Sequence, residues 1–123
     1  MLVLKGKTVA EIPQSSNPEV RSAHPRTAIG IDKHGKQLII LVVDGRQPGY
    51  SEGVTIAELT HIMIEYGAYF AMNLDGGGST TLVMEDRSGK PRILNSPIDN
   101  QIPGRERPIA NHLGIFVKSG KKQ

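Results

Sequence analysis

The stretch at residues 73–80, Asn-Leu-Asp-Gly-Gly-Gly-Ser-Thr, constrains the fold of this chain more than any other segment. Glycine loses more conformational freedom on folding than any other residue, so three glycines in a row are costly in ordered backbone. Chains tolerate that cost where the backbone needs positive φ angles or where another group approaches the bare main chain. The run therefore predicts a tight loop at a ligand site. The alternative is a β-turn loop that binds nothing.

Known glycine-rich ligand motifs do not fit this loop. The phosphate loop of nucleotide hydrolases requires Gly-Lys-Ser/Thr before a helix, whereas this segment has no lysine and precedes a predicted strand. The dinucleotide fingerprint fails in spacing and in context. A calcium loop of the EF-hand type would place Ala71 and Leu82 at ligand positions, and a nucleophile elbow would need glycine in place of Thr81.

Composition argues against several further classes of protein. The chain has 123 residues, 37% of them hydrophobic, which fits one globular domain spanning residues 1–123. The net charge of +3 comes from three lysines in the last six residues, and there is no Trp, so nucleic-acid binding is not expected. No apolar run approaches the ~20 residues of a membrane-spanning helix. Lys5 and Lys7 interrupt the apolar start before an export signal could form, which makes the cytoplasm the default compartment.

The residue types that bind metals in proteins do not show the sequence spacing of a metal site. The chain has no cysteine, which excludes a disulfide scaffold and a thiol nucleophile, and its four histidines lack the paired spacing of a zinc site. We therefore expect no metal and no cofactor. A cation beside Asp44 and Asp75 stays open as an alternative, although no ligand spacing requires it.

The first half of the chain carries a strand pattern. Residues 2–12 predict one strand with a turn at Lys5-Gly6-Lys7, and residues 13–25 predict a loop. Residues 27–32 and 38–43 predict two strands that pair as a hairpin around His34-Gly35. Since the second of these runs contains only Leu, Ile and Val, we expect it to be buried on both faces.

One helix is predicted over about residues 55–66. Thr55 is its expected N-cap, Glu58 completes a capping box, and Gly67 is the expected stop. Its apolar stripe at helical spacing consists of Ile56, Leu59, Ile62, Met63 and Tyr66. Further strands are predicted at residues 69–74, 79–84, 92–94 and 111–118, with an irregular loop at residues 97–108. Tight turns between several strands indicate an α+β fold, in which an antiparallel or mixed sheet packs against this helix.

Charged residues gather at one end of the predicted sheet. In the predicted hairpin, Arg26 and Asp44 lie at the same end, and Asp75 likewise directly follows a strand. Arginine binds phosphate in a bidentate manner, and glycine N–H groups add an anion-binding concavity. The end of the sheet therefore favours an anionic ligand rich in hydroxyl groups. Arg46 alone is interpreted as a solvated surface side chain, and His24 as a positioning residue rather than a base.

Five segments in order resemble the phosphodiester glycosidase family, whose bacterial members are often labelled exopolysaccharide-biosynthesis proteins. The segments are His24-Pro-Arg-Thr27 with Ala28-Ile-Gly30, Val43-Asp-Gly-Arg46, Gly53-Val-Thr-Ile-Ala-Glu58-Leu59, Ala71-Met-Asn-Leu-Asp-Gly-Gly-Gly-Ser-Thr80 and Arg107-Pro-Ile-Ala-Asn111. The resemblance covers residues 24–117. It implies hydrolysis of a sugar 1-phosphodiester, such as a GlcNAc-1-phosphodiester, at the anomeric carbon.

The resemblance also implies which residues do the work. The candidate catalytic carboxylates are Asp75, Glu58 and Asp44, although Glu58 is almost as well explained by its capping box alone. Arg26 is the expected phosphate clamp. The substrate-binding candidates are Arg26, Thr27, Asn73, Gly76, Gly77, Gly78, Ser79, Thr80, Arg107 and Asn111.

The family domain has an N-terminal half with an Asn-Gly/Ala-Gly-Phe-Phe stretch that this sequence lacks. The resemblance therefore implies that the chain is the C-terminal part of the domain. We expect a bare apolar sheet surface, with a homo-oligomer or a partner chain supplying the missing half. Two alternatives to catalysis follow: a carbohydrate- or phosphate-binding module, and an assembly subunit. Family members act in secretory or envelope settings.

Overall fold

A five-stranded antiparallel sheet forms the centre of the computed structural model, which describes residues 1–118. The strands run β2-β1-β5-β3-β4 across the sheet, and a separate hairpin pairs β6 with β7. The strands are β1 (Val3–Leu4), β2 (Lys7–Thr8), β3 (Arg26–Ile31), β4 (Leu38–Val43), β5 (Phe70–Asn73), β6 (Val83–Glu85) and β7 (Pro91–Ile93). The helices are α1 (Glu11–Gln14), α2 (Pro18–Arg21) and α3 (Ile56–Glu65), with 3₁₀ turns at Gly77–Ser79 and Asp99–Gln101. The predicted α+β class is confirmed.

The predicted hairpin of β3 and β4 sets the geometry of the site. Its register pairs Arg26 with Val43 at one end and Ile31 with Leu38 at the other. On its opposite side β3 pairs with β5, which runs antiparallel to it. The start of β3 therefore lies beside the ends of β4 and β5 at one end of the strands. The segments that flank these strand ends come together there.

Helix α3 covers one face of the sheet. Its capping box is present as predicted: Glu58 N donates to Thr55 Oγ1 at 3.1 Å, and Thr55 N donates to Glu58 Oε1 at 3.0 Å. Leu59 and Met63 are fully buried against the sheet, and each contributes about 1.5–3 kcal/mol of hydrophobic stabilisation. The expected burial of Tyr66 is wrong. The helix ends at Glu65, so Tyr66 turns outward and is 70% exposed.

The expectation that β4 is buried on both faces is also wrong. Ile39 and Leu41 pack against the core, whereas Leu38 is 49% exposed and Ile40 is 39% exposed. Strand β4 lies at the sheet edge, and nothing within residues 1–118 covers its outer face. Exposed apolar side chains of β3 and β5 continue this face, where they line a shallow hollow of about 230 Å³.

The N-terminal region holds more structure than predicted. Residues 2–12 form the β1–β2 hairpin with its turn at Lys5 and Gly6, followed by the start of α1. The loop predicted at residues 13–25 contains α2, which begins at Pro18 because Asn17 Oδ1 accepts a hydrogen bond from Glu19 N at 3.0 Å. This short helix brings Glu19 to the end of the sheet where β3 starts.

Two later predictions need correction. The strand predicted at residues 79–84 begins only at Val83, because the Gly77–Ser79 turn takes up the preceding backbone. The strand predicted at residues 111–118 does not form: the segment has no strand partner within residues 1–118, and Phe116 is 96% exposed. None of the helices in the described part of the chain is long and apolar enough to span a membrane.

Candidate functional site

A polar cavity of about 410 Å³ lies at the end of the sheet where β3 starts and where β4 and β5 end. Its walls come from Glu19, residues 24–26, Arg46, residues 73–78 and Arg107. Five segments far apart in sequence therefore meet here. The sequence grouped most of these segments at one end of the sheet, and their side chains differ in what they contribute.

Asp75 supplies an exposed carboxylate to this cavity. It follows β5 directly, and Leu74 N donates to Thr27 O at 2.8 Å, which continues the β3–β5 pairing up to the carboxylate. Among the described residues, Asp75 takes part in no salt bridge. Its oxygens are therefore available to a ligand. Asn73 lines the same cavity two residues earlier.

The glycine loop is narrow because other groups occupy the places that side chains would take. A Cβ on Gly76 would lie 2.7 Å from Pro25 O, and Gly77 N donates to that same oxygen at 2.9 Å. A Cβ on Gly77 would lie 3.3 Å from both terminal nitrogens of Arg46. A Cβ on Gly78 would lie 2.5 Å from Nη2 of Arg107. The three glycines thus let two guanidinium groups lie directly on the loop backbone.

Arg46 reaches the loop from an unusual backbone conformation. Its φ of +57° lies in the left-handed region, which costs a residue with a side chain about 1–2 kcal/mol. Neighbouring bonds hold that conformation, with Gln47 N donating to Ser51 O at 2.9 Å and Arg46 N donating to Glu52 O at 3.3 Å. The interpretation of Arg46 as a solvated surface side chain is wrong, since the residue is half-buried and lines the cavity.

Arg107 is fixed by a buried acid. Its Nε donates to Oδ1 of Asp99 at 2.9 Å, and Asp99 is only 6% exposed. Arg105 also pairs with Asp99, at 3.5 Å, but does not line the cavity. Nη1 of Arg107 donates to Ser79 Oγ at 3.3 Å. The irregular loop predicted at residues 97–108 therefore serves to deliver one oriented guanidinium to the glycines.

Arg26 does not have the free guanidinium expected of a phosphate clamp. It is 6% exposed, and its Nε donates to Val54 O at 3.0 Å. Its Nη2 donates to Glu19 O at 2.7 Å and to Ser22 O at 2.8 Å. Burial lowers the pKa of Arg26, an effect that the nearby Glu19 carboxylate opposes. The guanidinium holds α2 and residue 54 to β3 and so forms part of the cavity wall.

Two of the three predicted carboxylates lie away from the cavity. Glu58 is exposed at the start of α3, where its bond to the Thr55 backbone lowers the pKa of the carboxyl. Asp44 is engaged in a local network: Oδ1 accepts from Asn95 Nδ2 at 3.0 Å, and Oδ2 accepts from Tyr50 Oη at 2.7 Å. Ser96 N donates to both Asp44 oxygens at 3.0 Å. The expected convergence of three acids is corrected to one, Asp75.

Of the remaining predicted substrate-binding residues, one lies beside the cavity and three lie outside its wall. Ser79 lies beside the cavity through its contact with Arg107. Thr27 pairs with Val42 inside the sheet, and Thr80 is buried with a hydroxyl that has no hydrogen-bond partner among the described residues. Asn111 is exposed in the unpaired C-terminal segment. The structure does not bring these last three residues into the cavity wall.

Three polar side chains of the cavity, those of Glu19, His24 and Arg46, were not among the sequence candidates for binding. Glu19 lines it from α2, and His24 lies between Glu19 and Arg46, with its side chain 22% exposed. The Asn17-Pro18 pair is a helix-start signal that could have placed Glu19 on a helix. Within residues 1–118, no group of three or more His, Asp or Glu side chains is arranged to hold a metal.

The charges of the cavity favour an anion. The cavity is lined by three arginines, Arg26, Arg46 and Arg107, and by two acids, Glu19 and Asp75, and the guanidinium group of Arg107 also pairs with Asp99. Two of these guanidinium groups lie on bare glycine backbone, which is a suitable arrangement for a phosphate group. The fold and cavity therefore define an α+β domain in which two guanidinium groups lie on a glycine loop beside a single available carboxylate.

A family model described as phosphodiester glycosidase matches residues 1–116. The chain therefore belongs to the phosphodiester glycosidase family, as its ordered motifs predicted. It is 39% identical over 70 residues to bovine N-acetylglucosamine-1-phosphodiester α-N-acetylglucosaminidase, which covers 57% of this chain and 13% of the relative. It is 35% identical over 92 residues to the SPbeta prophage-derived protein YomE of Bacillus subtilis, which covers 75% of this chain and 13% of that protein.

Two solved structures extend the comparison to the fold. The catalytic domain of the zebrafish N-acetylglucosamine-1-phosphodiester α-N-acetylglucosaminidase, auto-inhibited by its pro-peptide, matches with a TM-score of 0.59 and 28% identity. That match covers 78% of this chain and 32% of the zebrafish chain. A hypothetical protein from Synechocystis matches with a TM-score of 0.51 and 33% identity, over 65% of this chain and 15% of that chain. The chain thus spans only a minor part of the relatives that it matches.

Proposed function

We propose that this chain carries a phosphate-binding and catalytic part of a site that hydrolyses a sugar 1-phosphodiester at the anomeric carbon. The products are a free sugar and a phosphomonoester. One observation carries the proposal: the guanidinium groups of Arg46 and Arg107 lie on Gly77 and Gly78, in the same cavity as the carboxylate of Asp75. The names of the bovine and zebrafish relatives support a GlcNAc-1-phosphodiester as the first substrate to test.

The charge changes of the reaction match this arrangement. The phosphodiester carries one negative charge, and breaking the bond between C1 and the phosphate oxygen leaves a phosphomonoester with a second one. Arg46 and Arg107 would stabilise that developing charge more strongly than the ground state, which is what lowers a barrier. Phosphate is a good leaving group, so its protonation matters less than in an ordinary glycoside.

Asp75 would act at the sugar carbon. Its carboxylate would either stabilise the cationic anomeric carbon or accept a proton from the attacking water. In the second case the water oxygen bonds to C1, the C1–O bond electrons stay with the phosphate, and Asp75 holds the released proton. Glu58 and Asp44 take no part in this proposal: Glu58 caps α3, and Asp44 ties the end of β4 to Ser96.

The proposal is tested by release of free sugar from the methyl phosphodiester of GlcNAc-1-phosphate. The wild-type protein should release GlcNAc and methyl phosphate, and Arg46→Met should lower kcat/KM by at least about tenfold, since a hydrogen-bonded charge is removed. Arg92→Met is the control, because Arg92 is exposed on the β6–β7 hairpin and, within residues 1–118, pairs only with Asp86. Release that Arg46→Met leaves unchanged would contradict the proposal, as would absence of release when the chain is assayed together with the rest of the domain.

A second candidate function, favoured by the bare sheet face, is a subunit that another copy of this chain completes. Leu38, Ile40 and Met72 leave an apolar face uncovered, and the same chain carries the unpaired apolar segment at residues 113–117. Faces of this kind mark interaction sites. Analytical ultracentrifugation at rising concentration should then detect a dimer, which Ile40→Lys weakens. A strictly monomeric protein at high concentration would exclude this candidate.

A further inference from the structure

A row of three side chains leads from α2 to the glycine loop. Oε2 of Glu19 lies 3.4 Å from Nε2 of His24, and Nδ1 of His24 lies 3.4 Å from Nη2 of Arg46. Both terminal nitrogens of the Arg46 guanidinium lie over Gly77, 3.3 Å from where a Cβ would be. Each member of the row therefore contacts the next, and the row ends at the anion site.

The chemistry of the two neighbours fixes which nitrogen of His24 carries hydrogen. Arginine has only donors, so Nδ1 of His24 must accept from Nη2 of Arg46. An ionised carboxylate has no hydrogen to offer, so the 3.4 Å contact between Nε2 and Oε2 of Glu19 is favourable when Nε2 carries the hydrogen. The arrangement is satisfied by a neutral imidazole whose hydrogen is on Nε2. Glu19 thus selects the tautomer that leaves a lone pair facing Arg46.

The main chain of His24 cannot shift easily. Its N–H donates to Val54 O at 3.2 Å, and Val54 N donates to His24 O at 3.1 Å. A Cβ on Gly53 would collide with the main chain of His24, and Pro25 restricts the other side. The imidazole is therefore presented to Arg46 from a fixed backbone, opposite the strained backbone from which Arg46 itself extends.

We propose that His24 is a positioning residue that holds the guanidinium of Arg46 on Gly77 through its Nδ1 lone pair, with Glu19 fixing the tautomer. The proposal rests on the proposed function for the identity of the ligand, a sugar phosphate. Without the lone pair, the guanidinium would lose the contact that opposes its movement into solvent. His24 itself need not touch the substrate.

The test compares two replacements of His24, one that keeps a hydrogen-bond acceptor and one that lacks it. His24→Asn keeps an oxygen near the position of Nδ1, whereas His24→Phe keeps a ring of similar size and has no acceptor. Titration with GlcNAc-1-phosphate should give wild-type-like affinity for the Asn variant and about fivefold to tenfold weaker affinity for the Phe variant, the size of one hydrogen bond. Equal affinity of the Phe variant and wild type would overturn the proposal.

A double-mutant cycle separates positioning from a general structural role. If His24 acts through Arg46, then His24→Phe should weaken binding in the wild-type background and have no effect when Arg46→Met is already present. Equal effects in both backgrounds would show that His24 acts independently of Arg46. If Arg46→Met itself left binding unchanged, the proposed function would fail, whereas failure of His24→Phe alone would reject only the positioning role.

A measurement without ligand decides the tautomer directly. The ¹⁵N chemical shifts of the imidazole distinguish a protonated Nε2 from a protonated Nδ1 at neutral pH. We expect hydrogen on Nε2 in the wild type and a mixture of tautomers in Glu19→Gln, whose amide can also donate. Hydrogen on Nδ1 in the wild type would overturn the proposal whatever the protein binds.

Discussion

The guanidinium of Arg107 occupies the space that a side chain at position 78 would fill. A Cβ on Gly78 would lie 2.5 Å from Nη2 and 2.9 Å from Cζ of Arg107, which is closer than real Cβ atoms approach. Gly78 is buried, and Arg107 is held from behind by the buried Asp99. The triple glycine therefore leaves space that arginine side chains occupy, and it is not only a tight turn.

Replacing this glycine should displace the arginine. We expect Gly78→Ala to weaken GlcNAc-1-phosphate binding about tenfold or more, because the guanidinium must leave both Ser79 and the loop backbone. Gly114→Ala is the matched control, since a Cβ there meets only the ring of Phe116, at an ordinary 3.5 Å. Isothermal titration of both variants checks the prediction. Unchanged binding by Gly78→Ala would show that the position of Arg107 does not depend on the absence of a side chain at residue 78.

Asp75 should matter for chemistry more than for binding. We expect Asp75→Asn to lower kcat for sugar release by about 10²–10⁴-fold, the usual contribution of a positioned acid or base, with little change in sugar-phosphate affinity. Glu58→Gln should keep full activity, since its carboxylate lies outside the cavity and glutamine can still cap α3. Rates at saturating substrate and separate titrations give the two quantities. A drop in affinity alone would place Asp75 among the binding groups.

Arg26 should behave as a structural residue. Arg26→Met would leave the carbonyl groups of Glu19 and Ser22 without their Arg26 donor and Val54 O with only the N–H of His24, and we expect a loss of about 2–4 kcal/mol in the free energy of unfolding. Urea denaturation of this variant beside Arg92→Met, whose parent side chain is mostly exposed, measures the difference. Similar stability of the two variants would contradict the assignment.

Glu58 should stabilise α3 in a pH-dependent way. Its folded-state pKa lies below its ordinary value of 4.5, so its contribution to stability is present above that value and is lost as pH falls through the lower folded-state pKa. We expect Glu58→Ala to cost about 1 kcal/mol of stability at pH 7, and that difference to shrink in acid. Thermal or urea unfolding of wild type and variant from about pH 3 to about pH 7 follows the change. A difference that grows in acid would refute the capping role.

The elements predicted correctly are those with local signals. Helix α3 has its capping box and its glycine stop within the segment itself, and β3 and β4 are joined by a short turn. The strand predicted at residues 111–118 has an equally good pattern, but a strand also needs a paired neighbour, and within residues 1–118 this segment pairs with no strand. Local pattern determines what a segment can form, and pairing determines whether it does.

The site was predicted only in part, because some of its features depend on tertiary contacts rather than on local sequence. Asp75, the glycines and Arg107 were identified from the motifs, and all line the cavity. The exchange of roles between Arg26 and Arg46 depends on tertiary contacts: carbonyl groups of α2 engage Arg26, and a left-handed backbone turns Arg46 inward. Neither feature has a signal in the residues themselves.

Binding of GlcNAc-1-phosphate by Arg107→Met beside Arg105→Met tests the central claim most directly. Both arginines pair with Asp99, yet only Arg107 reaches the glycine loop, so the two variants lose similar ion pairs and differ in the anion site. We predict that Arg107→Met loses at least about tenfold in affinity while Arg105→Met binds as the wild type does. Equal affinities of the two variants would contradict the account.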